Sequence, residues 1–194
     1  MGGMSRVSRR TLLPALGLLS AVAAALLAAC APGGGTDKVI GGPARAEEPS
    51  RVSIPSIGVD SPLIRLTRNK DGSVRVPPPE KGMTAGWYTG SAQPGTPGAA
   101  VIVGHSDSHG GKAVFHDLDK VGEGTVIDIR RGDGAVLHFA VTGTEKATGG
   151  AFPAHKVYGE TKERVLRLVT CAGEPSAGDG HRAENLIVYA TLKP

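Results

Sequence analysis

The stretch Thr125-Val-Ile-Asp-Ile-Arg-Arg-Gly-Asp-Gly-Ala-Val-Leu-His-Phe-Ala-Val141 decides the fold class. Its two arms are built from β-branched and aromatic residues, and Gly132-Asp133-Gly134 between them is the kind of short glycine-containing loop that closes a β-hairpin. Working outward, the apolar residues come in similarly short runs bounded by Gly, Pro, Asp and Asn. Strands are expected at 51–54, 57–59 with 62–66, 74–76, 99–104, 125–131, 135–144, 165–170 and 185–192. Helix is expected only over 113–120 and in a turn near 154–163. Gly (29) and Pro (14) make up about 22% of the 194 residues, against roughly 12% on average, so long helices are interrupted everywhere. About eight short strands without alternating long helices favour an all-β, closed or nearly closed barrel over a βαβ fold. With aromatics at 4%, its core must be Val, Ile, Leu and Ala.

The formal charge of +4 is concentrated at one end. Arg6, Arg9 and Arg10, with no acid before residue 31, supply most of it, so the remainder is nearly neutral and offers no nucleic-acid face. Leu12 to Ala29 is an uncharged apolar run after a basic start, the pattern of a signal peptide or short membrane anchor. Ser8-Arg9-Arg10-Thr11-Leu12-Leu13 resembles a twin-arginine export motif, and Leu27-Ala28-Ala29-Cys30 resembles a bacterial lipobox. Cys30 is therefore read as a lipid attachment site, with a plain transmembrane anchor as the alternative. Either way the protein lies on the extracytoplasmic face of the membrane. Segment 31–50, rich in Gly, Pro and Ala, reads as a flexible linker, and 51–194 as the folded domain.

Two cysteines exclude a disulfide-rich scaffold and a four-cysteine zinc site. Cys171 ends the run Val165-Leu-Arg-Leu-Val-Thr-Cys171 and is followed by small residues, a setting that suits a thiol nucleophile with backbone N–H groups beside it. The residues alone also allow a buried, inert cysteine, the commoner setting for this residue type. His105 follows the strand-like Ala100-Val-Ile-Val-Gly104, and an imidazole paired with a thiol favours the thiolate. His109 with His105 or Asp107 lacks the fixed spacing of a metal site, so neither metal nor cofactor is expected. His116, His138, His155 and His181 read as surface, strand or loop residues, and Glu145, Glu160 and Glu163 as a solvated face.

Four blocks in order carry a resemblance. They are Ile54-Pro-Ser-Ile-Gly-Val-Asp-Ser-Pro-Leu-Ile64, Ala99-Ala-Val-Ile-Val-Gly-His105, Leu168-Val-Thr-Cys171 and Asn185-Leu-Ile-Val-Tyr-Ala190. With them, residues 51–194 resemble the sortases, cysteine transpeptidases of Gram-positive envelopes. Gly86-Trp87-Tyr88, Gly104-His-Ser-Asp-Ser108 and Ala113-Val-Phe115 are similar to the actinobacterial class F group. The resemblance implies an eight-stranded sortase β-barrel and a Cys-His-Arg catalytic set. Cys171 and His105 match the family motifs; Arg182 is the arginine chosen, three residues before Asn185, which stands in the closest register. Arg167 is read as structural or exposed. Thr170 and Ala172 are expected to contact substrate, and loops 67–98 and 145–164 to choose it. The implied partners are surface proteins with an LPXTG-like sorting signal, cleaved between Thr and Gly, and an amine of peptidoglycan or its precursor. The alternative is a catalytically silent sortase-like domain that binds envelope peptides.

Overall fold

The structure, a computed structural model, describes residues 45, 47–108, 111–148, 151–175 and 182–194, without the side chains of 148, 171–175 and 182–184. The signal or anchor segment 1–30, Cys30 and most of the linker 31–50 lie outside the described residues, as do His109 and His181. Among the described residues no helix is long and apolar enough to cross a membrane.

Ten strands form: β1 (Pro49–Ile54), β2 (Val59–Leu66), β3 (Ala85–Tyr88), β4 (Gly98–Val103), β5 (Asp107–Ser108), β6 (Gly111–Lys112), β7 (Val126–Arg131), β8 (Val136–Thr148), β9 (Arg164–Pro175) and β10 (Arg182–Leu192). Eight of them close a barrel in the order β1-β2-β3-β4-β9-β10-β8-β7, while β5 and β6 make a separate small hairpin. The deciding stretch is the β7–β8 hairpin, antiparallel from Val126↔Ala140 to Arg130↔Val136. Closure is completed where β1 pairs with β7, with Val52 opposite Ile129. Two pairings are parallel, β2 with β3 and β4 with β9.

Three expectations are corrected. The run 74–76 is not a strand: Val74 makes a single bridge to Arg68, and Pro77, Pro78 and Pro79 then remove three N–H donors. The span 113–120 is a series of turns with a 3-10 turn at Leu118–Lys120 rather than a helix. Strand β9 continues to Pro175, beyond the expected end at 170, because β10 starts at Arg182 and pairs along it. The short helix α1 (Ala154–Tyr158) lies in the region where a turn was expected.

Alternation along the strands sorts the side chains into two clusters. Ala100, Ile102, Leu166, Leu168, Leu186 and Val188 point into the barrel and pack with Phe139, Ile127 and Trp87. Their neighbours Val101, Val103, Val169 and Ile187 point outward and form a second cluster with Leu66, Tyr88 and Val157 of α1. The outer cluster is the floor on which the site is built. Ser61, fully buried, knits the parallel β2–β3 pair: its hydroxyl accepts from the Ala85 N–H at 2.9 Å and donates to the Pro62 carbonyl at 2.8 Å.

Glu145 is a further correction, since it is half-buried rather than part of a solvated face. It accepts hydrogen bonds from Tyr189 Oη at 2.8 Å and Lys156 Nζ at 3.1 Å, and both hold its carboxyl below the usual range. Burial and the bond to Glu145 push Tyr189 up to about 12. Arg167 lies over the Tyr189 ring, 4.7 Å from its centre, and donates to the Lys156 carbonyl. Glu160 and Glu163 are exposed.

Candidate active site

Strand β4 runs parallel to β9 from Gly98↔Arg164 to Val103↔Val169, and the Gly104 N–H extends the ladder to the Val169 carbonyl at 3.1 Å. Two residues beyond Val103 and Val169 stand His105 and Cys171. Neighbouring strands are about 4.8 Å apart, so the two backbones lie side by side at the same end of the barrel. On the other flank of β9, Cys171 is in register with Asn185 of β10. Sixty-six residues of chain separate His105 from Cys171, and the parallel pairing removes that distance.

A groove of about 1170 Å³ opens over this end, with His105, Thr170 and Asn185 among its lining. One wall comes from the β2–β3 connection, through Arg68, Val74, Val76 and Pro79. The facing wall comes from the β8–β9 connection, through Phe152, Ala154 and Tyr158. These are the two loops expected to carry substrate choice. Val103 and Val169 of the outer cluster are part of its lining, which is largely apolar with a few polar groups.

His105 is half-buried, and its Nε2 lies 2.6 Å from the Pro77 carbonyl oxygen. A carbonyl only accepts, so Nε2 carries the hydrogen and Nδ1 is left to exchange protons. The chain is extended at Pro78, just before the 3-10 turn Pro79–Lys81, and that turn uses the Pro78 carbonyl, which leaves the Pro77 carbonyl for His105.

The turn carrying His105 is held from behind by residues 113–116. Phe115 N–H donates to the His105 carbonyl at 2.9 Å and Ala113 N–H to the Ser106 carbonyl at 3.1 Å. His116 Nδ1 lies 3.1 Å from that same Ser106 carbonyl and 2.9 Å from Asp107 Oδ1, so it donates to both. The sequence reads His116 as a surface or turn residue, and it does stand in a turn; its partners sit nine and ten residues earlier, and no local pattern announces them. His116→Ala is expected to lower kcat a few-fold with KM little changed, and His116→Gln, which keeps a donor, to recover most of the loss in steady-state assays.

Gly104 has a steric role at the same turn. A Cβ there would come within 2.5 Å of the Phe115 ring and 2.8 Å of Val114. Gly104→Ala is therefore expected to destabilise the fold by about 1–3 kcal/mol, the usual cost of overpacking, read as a lowered melting temperature.

Of the residues singled out in the sequence, His105 and Thr170 line the groove, with Thr170 3% exposed. Cys171 and Ala172 are positioned as backbone in β9, where Ala172 pairs with Glu184. Arg182 opens β10 opposite Pro175, and the register slips by one between Arg182 and Glu184. Along the strand it stands three residues from Asn185, about 10 Å. The sequence reading missed Pro77, His116, Arg68, Phe152 and Tyr158 as parts of the site.

Residues 52–193 match the sortase domain family. No similar protein is found among curated sequences. Among solved structures, sortase A from Corynebacterium diphtheriae is 22% identical with a TM-score of 0.59, over 77% of this chain and 62% of that one. Sortase C-1 from Actinomyces oris is 20% identical with a TM-score of 0.58, over 74% of this chain and 73% of that one. Clostridium perfringens sortase C, solved with the C-terminal cell wall sorting motif, is 20% identical with a TM-score of 0.57, over 77% and 73% of the two chains. At these identities the structural likeness speaks for the fold. The family match rests on the domain itself.

Proposed function

We propose, from the premise that this chain belongs to the sortase family, that it is a cysteine transpeptidase of the cell envelope acting on a sorting-signal peptide. One observation carries the reading: the parallel β4–β9 pairing ends at Val103↔Val169, and His105, which lines an apolar groove, and Cys171 each stand two residues past that last pair. The solved complex of a Clostridium perfringens sortase C with a sorting motif supports a peptide of that class as donor. The LPXTG-like form, cleavage between Thr and Gly, and affinity with the class F group belong to this proposal. So do an amine of peptidoglycan or its precursor as acceptor and anchorage through Cys30 or the apolar run, on the extracytoplasmic face.

In the mechanism the Cys171 thiolate attacks the scissile carbonyl and a C–S bond forms. As the C–N bond breaks, the imidazolium of His105 gives the proton on Nδ1 to the leaving amine, while Nε2–H stays on the Pro77 carbonyl. In the second half, the acceptor amine attacks the thioester, its proton passes to Nδ1, and the thiolate leaves. Arg182 and a backbone N–H at Ala172 stabilise the oxyanion, each such donor typically contributing about 3 kcal/mol. Thr170 positions the peptide. The test is incubation of the full chain with a panel of LPXTG-type peptides and an amine acceptor. A thioacyl-enzyme and an aminolysed product are expected, and failure of every peptide to acylate the enzyme would overturn the reading.

The alternative of a silent peptide-binding domain is favoured by one feature: Asn185, not an arginine, is in register with Cys171. Arg182→Ala separates the two readings. Loss of turnover with retained peptide binding identifies the enzyme; a wild-type chain that binds peptide and never turns over identifies the silent domain.

A further inference from the structure

Arg68 is the one lysine or arginine among the described residues lining the groove. Its guanidinium is held in place rather than loose: Nε donates to the Tyr88 hydroxyl, and the group lies 5.6 Å from the centre of the Tyr88 ring. Tyr88 is itself 4% exposed and packs edge-on to Tyr158, with ring centres 6.1 Å apart. Among the described residues no carboxylate pairs with Arg68. The hydrogen bond that Arg68 donates to the Tyr88 hydroxyl also raises the guanidinium's pKa further, so it stays charged. A fixed, exposed cation beside the apolar Val74 and Tyr158 is thus presented to whatever occupies the groove.

Its place relative to the chemistry follows from the backbone. Arg68 bridges Val74, and three residues later the Pro77 carbonyl meets His105. Three extended residues span at most about 10 Å. An extended peptide lying along this wall covers the same distance in two or three residues, allowing for the reach of the arginine. Building on the sortase reading above, we propose that Arg68 is a specificity-determining residue that selects a carboxylate side chain on the donor peptide, two or three residues from the scissile bond. No covalent step is involved. A guanidinium takes a carboxylate through charge-assisted, two-point hydrogen bonds that an amide matches poorly and an ammonium opposes.

The experiment uses the full chain and fluorescent LPXTG-type peptides carrying Glu, Gln or Lys at the variable X position, or at the second or third residue after the cleavage site. At one of these positions Glu is expected to exceed Gln in kcat/KM by about tenfold and Lys to fall below both, with the preference shrinking at high salt. R68Q should flatten the series and R68E should invert it towards Lys. Arg68 is exposed, so only a small drop in melting temperature is expected in both variants, from the lost hydrogen bond to Tyr88, and the comparison is one of recognition. The same ordering is expected in binding by fluorescence anisotropy. If no peptide acylates the enzyme, the transpeptidase reading fails, and the binding series still decides the Arg68 contact. No Glu over Gln over Lys order at any position, or an order that persists in R68Q, would overturn the proposal.

Discussion

Cys171→Ala is expected to eliminate the covalent adduct between the enzyme and a sorting-signal peptide, with turnover falling to background. The loss should be total in intact-protein mass spectrometry, because in the proposed mechanism the C–S bond of the thioacyl intermediate forms on this sulfur. Removal of a nucleophile is among the largest single-residue effects in enzymes that work through a covalent intermediate. The fold should survive, since a Cys to Ala change removes one atom from a strand held on both sides by β4 and β10. Acylation persisting in this variant would show that the thiol is not the nucleophile. Modification of the wild-type thiol by a methanethiosulfonate reagent supplies the complementary reading, since a cysteine sealed in the core would not react.

The second large effect is expected at His105. His105→Ala should lower kcat by about 10²–10⁴, the usual range for losing a general acid and base. Peptide binding should change little, because the apolar walls of the groove come from other residues. A pre-steady-state experiment sharpens this. Both the burst of acyl-enzyme and its aminolysis should slow, since the proposed mechanism uses the same Nδ1 in both half-reactions. A variant that lost only peptide affinity would instead assign His105 to binding.

Much of the fold was legible because strand signals are local. The β-branched run Ala100-Val101-Ile102-Val103 and the glycine loop at 132–134 are read within one short window, and both found their expected places in β4 and the β7–β8 hairpin. Strand β3 was not legible as a strand. Ala85-Gly86-Trp87-Tyr88 is four residues long, buried on both faces, and so shows no alternation. The run 74–76 failed for the opposite reason. Its β-prone valines suggested a strand, but the prolines after it cannot donate to a ladder.

The candidate site divides in the same way. Cys171 and His105 stood out because each follows an apolar run and matches a short motif. Pro77, Arg68, Tyr158 and His116 did not, because each matters through a partner found only after the chain has closed on itself. Arg68 and Tyr88 are twenty residues apart, and Pro77 and His105 twenty-eight. Such contacts depend on where two loops land, and side-chain periodicity carries no information about that.

Sequence alone therefore determined that this chain is an all-β barrel, with a cysteine and a histidine following apolar strand runs. Those features rest on residue chemistry, local propensity and short-range order. Tertiary structure alone decided that β4 and β9 run parallel, which brings the strand ends that lead to His105 and Cys171 together. It also decided that Nε2 of His105 is bound by the Pro77 carbonyl and that Arg68 faces the groove. The physical reason is barrel closure, which fixes the register of strands distant in sequence and, with it, every contact between the loops that leave them.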